Sequence, residues 1–591
     1  MALTGDWWRD GHSRGEWDGA DAAALAGLVA VAAVGILVWC VGEVAALVFS
    51  GTRLGTPLVE VPGIVWRLPS TWSDPGAAWP IADRSRLPGP LAWWCTALGF
   101  FAAPVAGWLG VRRLARSGRE NTWARGRDLR RLRRRRSRGR RLAIGTTRGG
   151  VLATESQHSL LVVGPTQTGK TTGLAVPAIL EWDGPVLASS VKGDLLSDTH
   201  AWRERLDGEL WVYDPAGVTP FPLATWSPLA ACRTWQGARR TASELAEAAK
   251  VATGRGVEGA DFWFSSAAKL LAPYLFAAAT RDCLIGDVVR WIDSQDKSEA
   301  RAILVGIGHA EALLSHDATW SRDDKTRSSI YTTAELVLAA YADPRVAASA
   351  STCQVRPDRL LDGGRHTLYL SAPPAEQRRL RPLFATLVGQ VVNAAYAKVG
   401  TTGKPLDPPL LVVLDEAANI APVPDLATIA STAASHGIQL VTVWQDLAQL
   451  RARYGSEAAT VLNNHRAKLV LAGVGDLETL DYVSRLAGDE DIEQTSVTTD
   501  RGGRRSKTAA ARSRRLLAPE ALRQLRQGEG VLLYGNLPPA RLRLRPWFKN
   551  RFLRRRARGA GRTPDAVVGA VATPPDEQVV PLPSSREGRE R

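Results

Sequence analysis

The apolar residues Leu160 to Val163 run directly into Gly164-Pro165-Thr166-Gln167-Thr168-Gly169-Lys170-Thr171, and the text from Thr172 onward reads as a helix. A strand, a glycine-bounded loop and a helix in that order leave little choice of fold, because the N–H groups of the loop then converge on one point at a sheet edge. The glycines let the backbone curl around phosphate, Lys170 reaches the outer phosphates, and the Thr171 hydroxyl can ligate magnesium. Gly164 to Thr172 is therefore the expected nucleotide-binding segment. A glycine-rich turn that merely precedes a helix is the plain alternative, and the strand in front weighs against it.

Pro408 to Ile420, PPLLVVLDEAANI, supplies what a phosphate cradle lacks. A fully apolar strand delivers the acids at its carboxyl end to the sheet edge where the loop also sits. Asp415 is then expected to hold magnesium and Glu416 to activate water. An ordinary buried strand ending in two solvated acids is the competing reading. Together the two motifs imply an ATPase with ATP and Mg2+ as its ligands.

Two uncharged stretches of twenty-one residues, Ala22 to Gly42 and Leu91 to Val111, are each long enough to cross a hydrocarbon core of about 30 Å. They are expected to be transmembrane helices. A signal peptide fits the first poorly, since Asp6, Asp10, Glu16, Asp18 and Asp21 stand where a basic start is needed. Residues 112–141 hold fifteen arginines against Glu120 and Asp128, which accounts for +13 of the net +16. Basic segments near a membrane stay cytoplasmic. The expected topology is multi-pass in the inner or plasma membrane, with both termini and the ATPase domain cytoplasmic and residues 51–90 as an external loop. The same charge invites anionic membrane lipid at about 1 kcal/mol per residue, or lines the entry of a polyanion in an oligomer.

The five cysteines form no CxxC pair and the histidines do not cluster, which argues against disulfide or zinc frameworks. Short apolar runs, HSLLVVG, GPVLASS and ELWVYDP, alternate with helical text in the grammar of a parallel sheet. From Thr234 to Pro357 the text becomes alanine-rich with a helical period, and strands resume with HTLYLSA, LLVVLDE, IQLVTVWQD, AKLVLAG and GVLLYGN. The expected fold class is α/β. The domain plan is a membrane anchor over 1–111, an arginine-rich linker over 112–142, one nucleotide domain from 143–233 and 358–548, an all-α insert at 234–357, and a basic, disordered tail over 549–591. Arg501 to Arg515 reads as a mobile basic loop.

With these features in place, residues 143–548 resemble the type IV coupling proteins, the TraG/TraD-like ATPases of conjugation and type IV secretion. The resemblance is carried by the P-loop, SSVKGDLLSDT at Ser189 to Thr199, VYDPAG at Val212 to Gly217, TWSPL at Thr225 to Leu229, LDEAANI, and GIQLVTVWQDLAQLRARYG at Gly437 to Gly455. It implies a RecA-like P-loop ATPase domain with an inserted all-α subdomain, preceded by two transmembrane helices and assembled as a homo-hexamer. It also implies a motor that passes relaxase-linked, single-stranded DNA to type IV secretion channel components. By the same resemblance Lys170 stabilises transferring phosphate, Thr171 and Asp415 hold magnesium, Glu416 deprotonates water, and Gln445 senses the γ-phosphate.

Two departures limit the likeness. Where relatives carry an arginine that reaches a neighbouring subunit, this chain has Ala434, Ser435 and His436. Arg466 is a candidate replacement, with an ordinary surface arginine as the alternative. The usual DPKGE-like text is SVKGD, which keeps Lys192 and Asp194 but loses the first acid. Two other readings stay open at this stage: a double-strand DNA pump of the FtsK type, and a nucleotide-dependent docking receptor for secreted proteins.

Overall fold

The computed structural model describes residues 19–115, 122–134, 141–190, 193–253, 259–499 and 505–559. The chain divides into two compact units, residues 1–120 and 121–591.

In the first unit, helices Gly19–Ser50 and Pro90–Ala115 contain the stretches Ala32–Ser50 and Pro90–Trp108, each long and apolar enough to cross a membrane. The first runs past the expected end at Gly42. Glu43 does not stop it, because its carboxylate accepts the Leu54 backbone N–H at 3.4 Å where the chain turns back. The connection between the helices is a folded cap. Trp79 is fully buried against Gly42, where a Cβ would lie 2.6 Å from the indole. The Thr56 hydroxyl and the Gly55 N–H donate to Asp83 at 2.5 and 3.2 Å. Asp6, Asp10, Glu16 and Asp18 lie outside the described residues.

The second unit is built on strands β1 (Ala143–Thr147), β2 (Gly150–Ala153), β3 (Leu160–Val163), β4 (Val186–Ser190), β5 (Leu210–Tyr213), β6 (Thr367–Ser371) and β7 (Leu410–Leu414). It continues with β8 (Ile438–Trp444), β9 (Ala467–Leu471), β10 (Asp489–Thr499), β11 (Arg505–Arg515), β12 (Glu529–Tyr534) and β13 (Ala540–Arg543). One sheet runs β2-β1-β13-β12-β9-β3-β8-β7-β4-β6-β5. From β9 to β5 every pairing is parallel, and these strands read as continuous apolar runs because helices cover both faces. β12, β13, β1 and β2 extend the β9 edge antiparallel.

Between β5 and β6 the chain is helical, and its core is continuous with one face of the sheet. Ala238, Ala242, Ala246 and Ala249 recur at helical spacing on Trp235–Thr253 and are all buried, which lets the helix Ala260–Thr280 approach closely. Tyr274 and Tyr331 share a hydroxyl hydrogen bond of 2.8 Å inside this subdomain.

Three expectations require correction. Arg505–Arg515 is no loop but β11, paired over its whole length with β10. The acidic text DEDIE sets the register, placing Asp489 opposite Arg515 and Glu490 opposite Arg514, with ion pairs of 3.5 and 2.7 Å. Residues 501–504 lie outside the described residues. The tail begins ordered: the Asn550 side chain caps helix Arg551–Ala557, which buries Leu553 and Ala557 against Val176 and Leu180. Only 560–591 of that tail falls outside the described residues. Residues 122–134 belong to the second unit, since Leu129 and Leu132 are buried in its core and Arg134 pairs with Glu181 at 2.5 Å. Residues 116–121 and 135–140 of the arginine-rich segment lie outside the described residues.

Candidate nucleotide site

The carboxyl ends of three adjacent strands make the site. β8 lies between β3 and β7, so the P-loop, the acids after β7 and Gln445 after β8 meet at one edge. The β8 end holds both neighbours: Gly164 N–H donates to Trp444 O at 3.0 Å, and Ala417 N–H donates to Val443 O at 3.1 Å.

The loop needs its unusual backbone. Gly169 has φ +86° and Gln167 has φ +63°, a conformation that turns successive N–H groups inward. The Thr168 hydroxyl donates to Pro165 O at 2.9 Å, and the Gln527 side-chain amide supports Gln167 O at 2.9 Å. Lys170 is folded back onto its own loop, donating to Gly164 O at 2.5 Å and Pro165 O at 2.7 Å. Behind the loop, Leu544 sits so close to Gly173 that a Cβ there would lie 2.9 Å from it.

Thr171 and Asp415, separated in sequence by the whole insert, meet directly: the threonine hydroxyl donates to Asp415 Oδ2 at 2.8 Å. Asp415 is buried, and among the described residues its Oδ1 has no hydrogen-bond partner. Burial pushes its pKa up to about 6, against the Thr171 hydrogen bond, with the Glu416 charge adding to the rise. An orphaned carboxylate oxygen beside a threonine hydroxyl fits the hard oxygen ligands that magnesium takes.

Glu416 has φ +56°, a strained setting for a non-glycine residue. Its carbonyl accepts Asn419 N–H at 2.8 Å, and its Oε2 accepts the Asn419 side-chain amide at 3.2 Å. Arg381 holds that asparagine in turn, with Nε to Asn419 O at 2.7 Å. The Gln445 N–H donates to Gln449 Oε1 at 3.2 Å, at the start of helix Leu447–Tyr454.

Other motif residues have structural places. Asp194 opens helix Asp194–Arg203 and its carboxylate accepts Leu195 N–H at 2.9 Å; Lys192 lies outside the described residues. Asp214 is a buried turn anchor whose two oxygens accept four consecutive N–H groups, from Ala216 to Thr219. Thr225 O accepts the N–H groups of Gln354 and Val355, so TWSPL ties the start of the insert to its end. Arg466 stands apart from the site. It precedes β9, and its guanidinium lies beside Gly535, about 3.2 Å from a Cβ there, at the opposite sheet edge. Sequence reasoning misses Asn419, Arg381 and Leu544; only Asn419, within LDEAANI, carries a signal that could have found it.

A sequence profile for the type IV secretory system conjugative DNA transfer family matches residues 122–567. The chain belongs to that family. Among its similar members, the conjugal transfer protein TraG of Escherichia coli is 26% identical over 382 residues, 59% of this chain and 57% of that protein. VirD4 of Agrobacterium fabrum is 25% identical over 431 residues, 69% of this chain and 61% of VirD4. The family member thus spans under two thirds of these relatives. The plasmid coupling protein TrwB, solved with ADP and Mg2+, superimposes with a TM-score of 0.56 at 21% identity over 72% of this chain and 94% of TrwB. That likeness gives this family member the RecA-like P-loop fold with an α subdomain.

Proposed function

We propose that this chain is a membrane-anchored ATPase that couples DNA to a type IV secretion channel, with ATP and Mg2+ at the site built by Lys170, Thr171, Asp415, Glu416 and Gln445. The observation that carries the reading is the Thr171 to Asp415 contact of 2.8 Å beside an orphaned carboxylate oxygen, at the mouth of an intact P-loop. Family membership, and TrwB solved with ADP and Mg2+, support the choice of ligand.

Thr171 and Asp415 would hold magnesium, which neutralises charge on the phosphate oxygens when bound. Lys170 turns from the Gly164 and Pro165 carbonyls to the outer phosphates. Glu416 accepts the proton of the attacking water, and Gln445, placed between the cradle and the acids, reports the γ-phosphate. Positioning and electrostatics of this kind are nearly all that phosphoryl transfer asks of a protein.

Helices Gly19–Ser50 and Pro90–Ala115 serve as the transmembrane anchor in a multi-pass inner or plasma membrane arrangement, with both termini and the ATPase unit cytoplasmic. The arginines that follow touch anionic lipid. The cargo is relaxase-linked single-stranded DNA, the partners are secretion channel components, and the working form is a homo-hexamer.

ATP hydrolysis by the full-length protein, with and without single- and double-stranded DNA and beside a Glu416→Gln control, tests this. Stimulation by single strands that vanishes in the control is expected. Hydrolysis indifferent to DNA rejects the coupling role, and stronger stimulation by duplex selects a double-strand pump.

A further inference from the structure

Arg381 holds Asn419 in the Glu416 turn, Arg378 lies one helical turn before it, the charge of Arg453 reaches it, and among the described residues none of the three has a carboxylate partner. Arg378 and Arg381 lie in the first turns of helix Gln377–Thr402, and Arg453 lies near the end of Leu447–Tyr454, the helix that follows Gln445. Among the described residues Arg381 donates only to Asn419, through Nε to O at 2.7 Å and Nη2 to Oδ1 at 3.4 Å. Among the described residues Arg453 donates only to the Ala252 carbonyl of the insert, at 3.4 Å. Neither helix contains an acid of its own, and their other arginines take acids from neighbouring segments: Arg379 takes Glu376 and Asp343, and Arg451 takes Glu478. Lost hydration, and then the charges of Arg453 and Arg378, push Arg381 down to about 10. Arg453 is lowered by burial as well, with Arg378 adding to the effect.

Assembled like charges without a counter-ion are relieved by an anion, and the guanidinium fork matches phosphate oxygens. Arg378 is exposed while Arg381 and Arg453 are half-buried on separate elements. That is an open track suited to a polymer rather than a closed cup for a small ion. Arg381 also shares Asn419 with Glu416, whose Oε2 accepts the Asn419 amide at 3.2 Å.

We propose that Arg378, Arg381 and Arg453 form a phosphate site for a nucleic-acid backbone, linked to Glu416 through Asn419. The idea rests on the function proposed above and deepens it. A backbone phosphate on Arg381 competes with Asn419 for its N–H groups, which releases the asparagine amide and frees Glu416 Oε2 to meet water. Arg381 and Asn419 are thus positioning residues that make hydrolysis depend on cargo.

The test uses full-length protein in lipid nanodiscs. Anisotropy of a labelled single-stranded oligonucleotide, without nucleotide, is followed through a salt series, and ATP turnover is measured beside it. Arg378→Glu with Arg453→Glu is expected to weaken oligonucleotide binding at least about tenfold and to flatten the salt slope by about 0.7 for each phosphate that is no longer neutralised. Arg378→Glu alone, at an exposed position, is expected to do the same to a smaller degree and guards against misfolding of the pair. Asn419→Ala is expected to keep oligonucleotide affinity and lose the DNA-dependent rise in turnover. Unchanged affinity and slope in the arginine variants overturn the site while leaving the ATPase reading intact. Weakened binding of a fluorescent ATP analogue with oligonucleotide affinity intact assigns the arginines to nucleotide phosphate and likewise overturns it. Retained stimulation in Asn419→Ala overturns the link. Wild-type protein that binds no oligonucleotide overturns both this proposal and the coupling role.

Discussion

The two edges of one sheet are built on opposite terms. At the carboxyl ends of β3, β7 and β8, Asp415 Oδ1 is buried with no partner among the described residues, and Gln167 and Glu416 hold positive φ. At the amino ends, Arg203 is 1% exposed and its guanidinium is fully engaged: it donates to Thr367 Oγ1 and to the carbonyls of Trp182, Gly184, Arg365 and His366, at 2.7–3.3 Å. An unmet carboxylate oxygen and strained backbone persist where a ligand completes them, while a guanidinium satisfied as Arg203 is ties strand ends together. The contrast is between these two clusters and not between whole edges, since Gln439 Oε1 at the amino end of β8 is also unpartnered among the described residues and Gln157 before β3 has φ +65°. Substitutions at the two edges should therefore separate activity from stability.

The largest separation is expected from Lys170→Ala. Hydrolysis falls by about 10³-fold or more, because the charge facing the transferring phosphate is gone. The melting temperature moves by about 2 °C or less, since Lys170 donates to carbonyls of its own loop rather than to the core. Arg203→Leu should do the reverse. It strands the carbonyls that the guanidinium satisfies and costs about 3 kcal/mol or more. The urea midpoint drops, while turnover per folded molecule changes less than about threefold. A Lys170→Ala protein that melts much earlier, or an Arg203→Leu protein of normal stability, breaks the contrast between the edges.

Sequence text revealed the first edge better than the second. GPTQTGKT and LDEAANI announce themselves because phosphate and magnesium demand particular residues at particular spacing, and all eight apolar runs read as strands are strands. β1, β2 and β13 escaped because AIGTT, GVLA and ARLR are short and carry no clear alternation, their places being fixed by pairing outward from β12, β13 on β12, β1 on β13 and β2 on β1, rather than by their own text. β11 escaped because its arginines make sense only opposite Asp489 and Glu490. Arg203 and Arg381 were invisible for a related reason. Their meaning lies in carbonyls and an asparagine brought close by the fold, and no local pattern encodes that.

The pH response sharpens the comparison at Asp415. An ordinary aspartate titrates near about 3.9, whereas burial lifts this one to about 6, with Thr171 opposing and Glu416 assisting. Between those values the unfolded chain is ionised while the folded one still holds its proton. Ionisation thus works against folding as pH rises through the window, fully so above it. Asp415→Asn should therefore raise the melting temperature at pH 7.5 without added magnesium and change it little at pH 4.5. In the unsubstituted protein, protons compete with the cation, so magnesium-dependent nucleotide affinity should fall about tenfold per unit below about pH 6. Loss of stability in Asp415→Asn at pH 7.5 would count against an edge held ready for a ligand.

Arg466 gives the smallest expected effect and the most direct challenge to the division. It sits at the amino-terminal edge, exposed beside Gly535, with His158 and Tyr534 near its charge. Nothing in its own subunit brings it to Lys170 or Glu416. Arg466→Ala should leave stability within about 0.5 kcal/mol, as for most surface substitutions, and should leave hydrolysis by the assembled protein within about twofold. A neighbour's phosphate loses far more when a trans arginine is removed, on the order of 10³-fold. Turnover of variant and wild-type protein mixed in varying ratio decides between the two. If Arg466→Ala subunits poison wild-type subunits, this edge completes a site across the interface and the two edges are one device. If mixtures average linearly, catalysis and fold maintenance remain divided between the two ends of the strands, and the missing arginine at Ala434 is supplied from elsewhere or not needed.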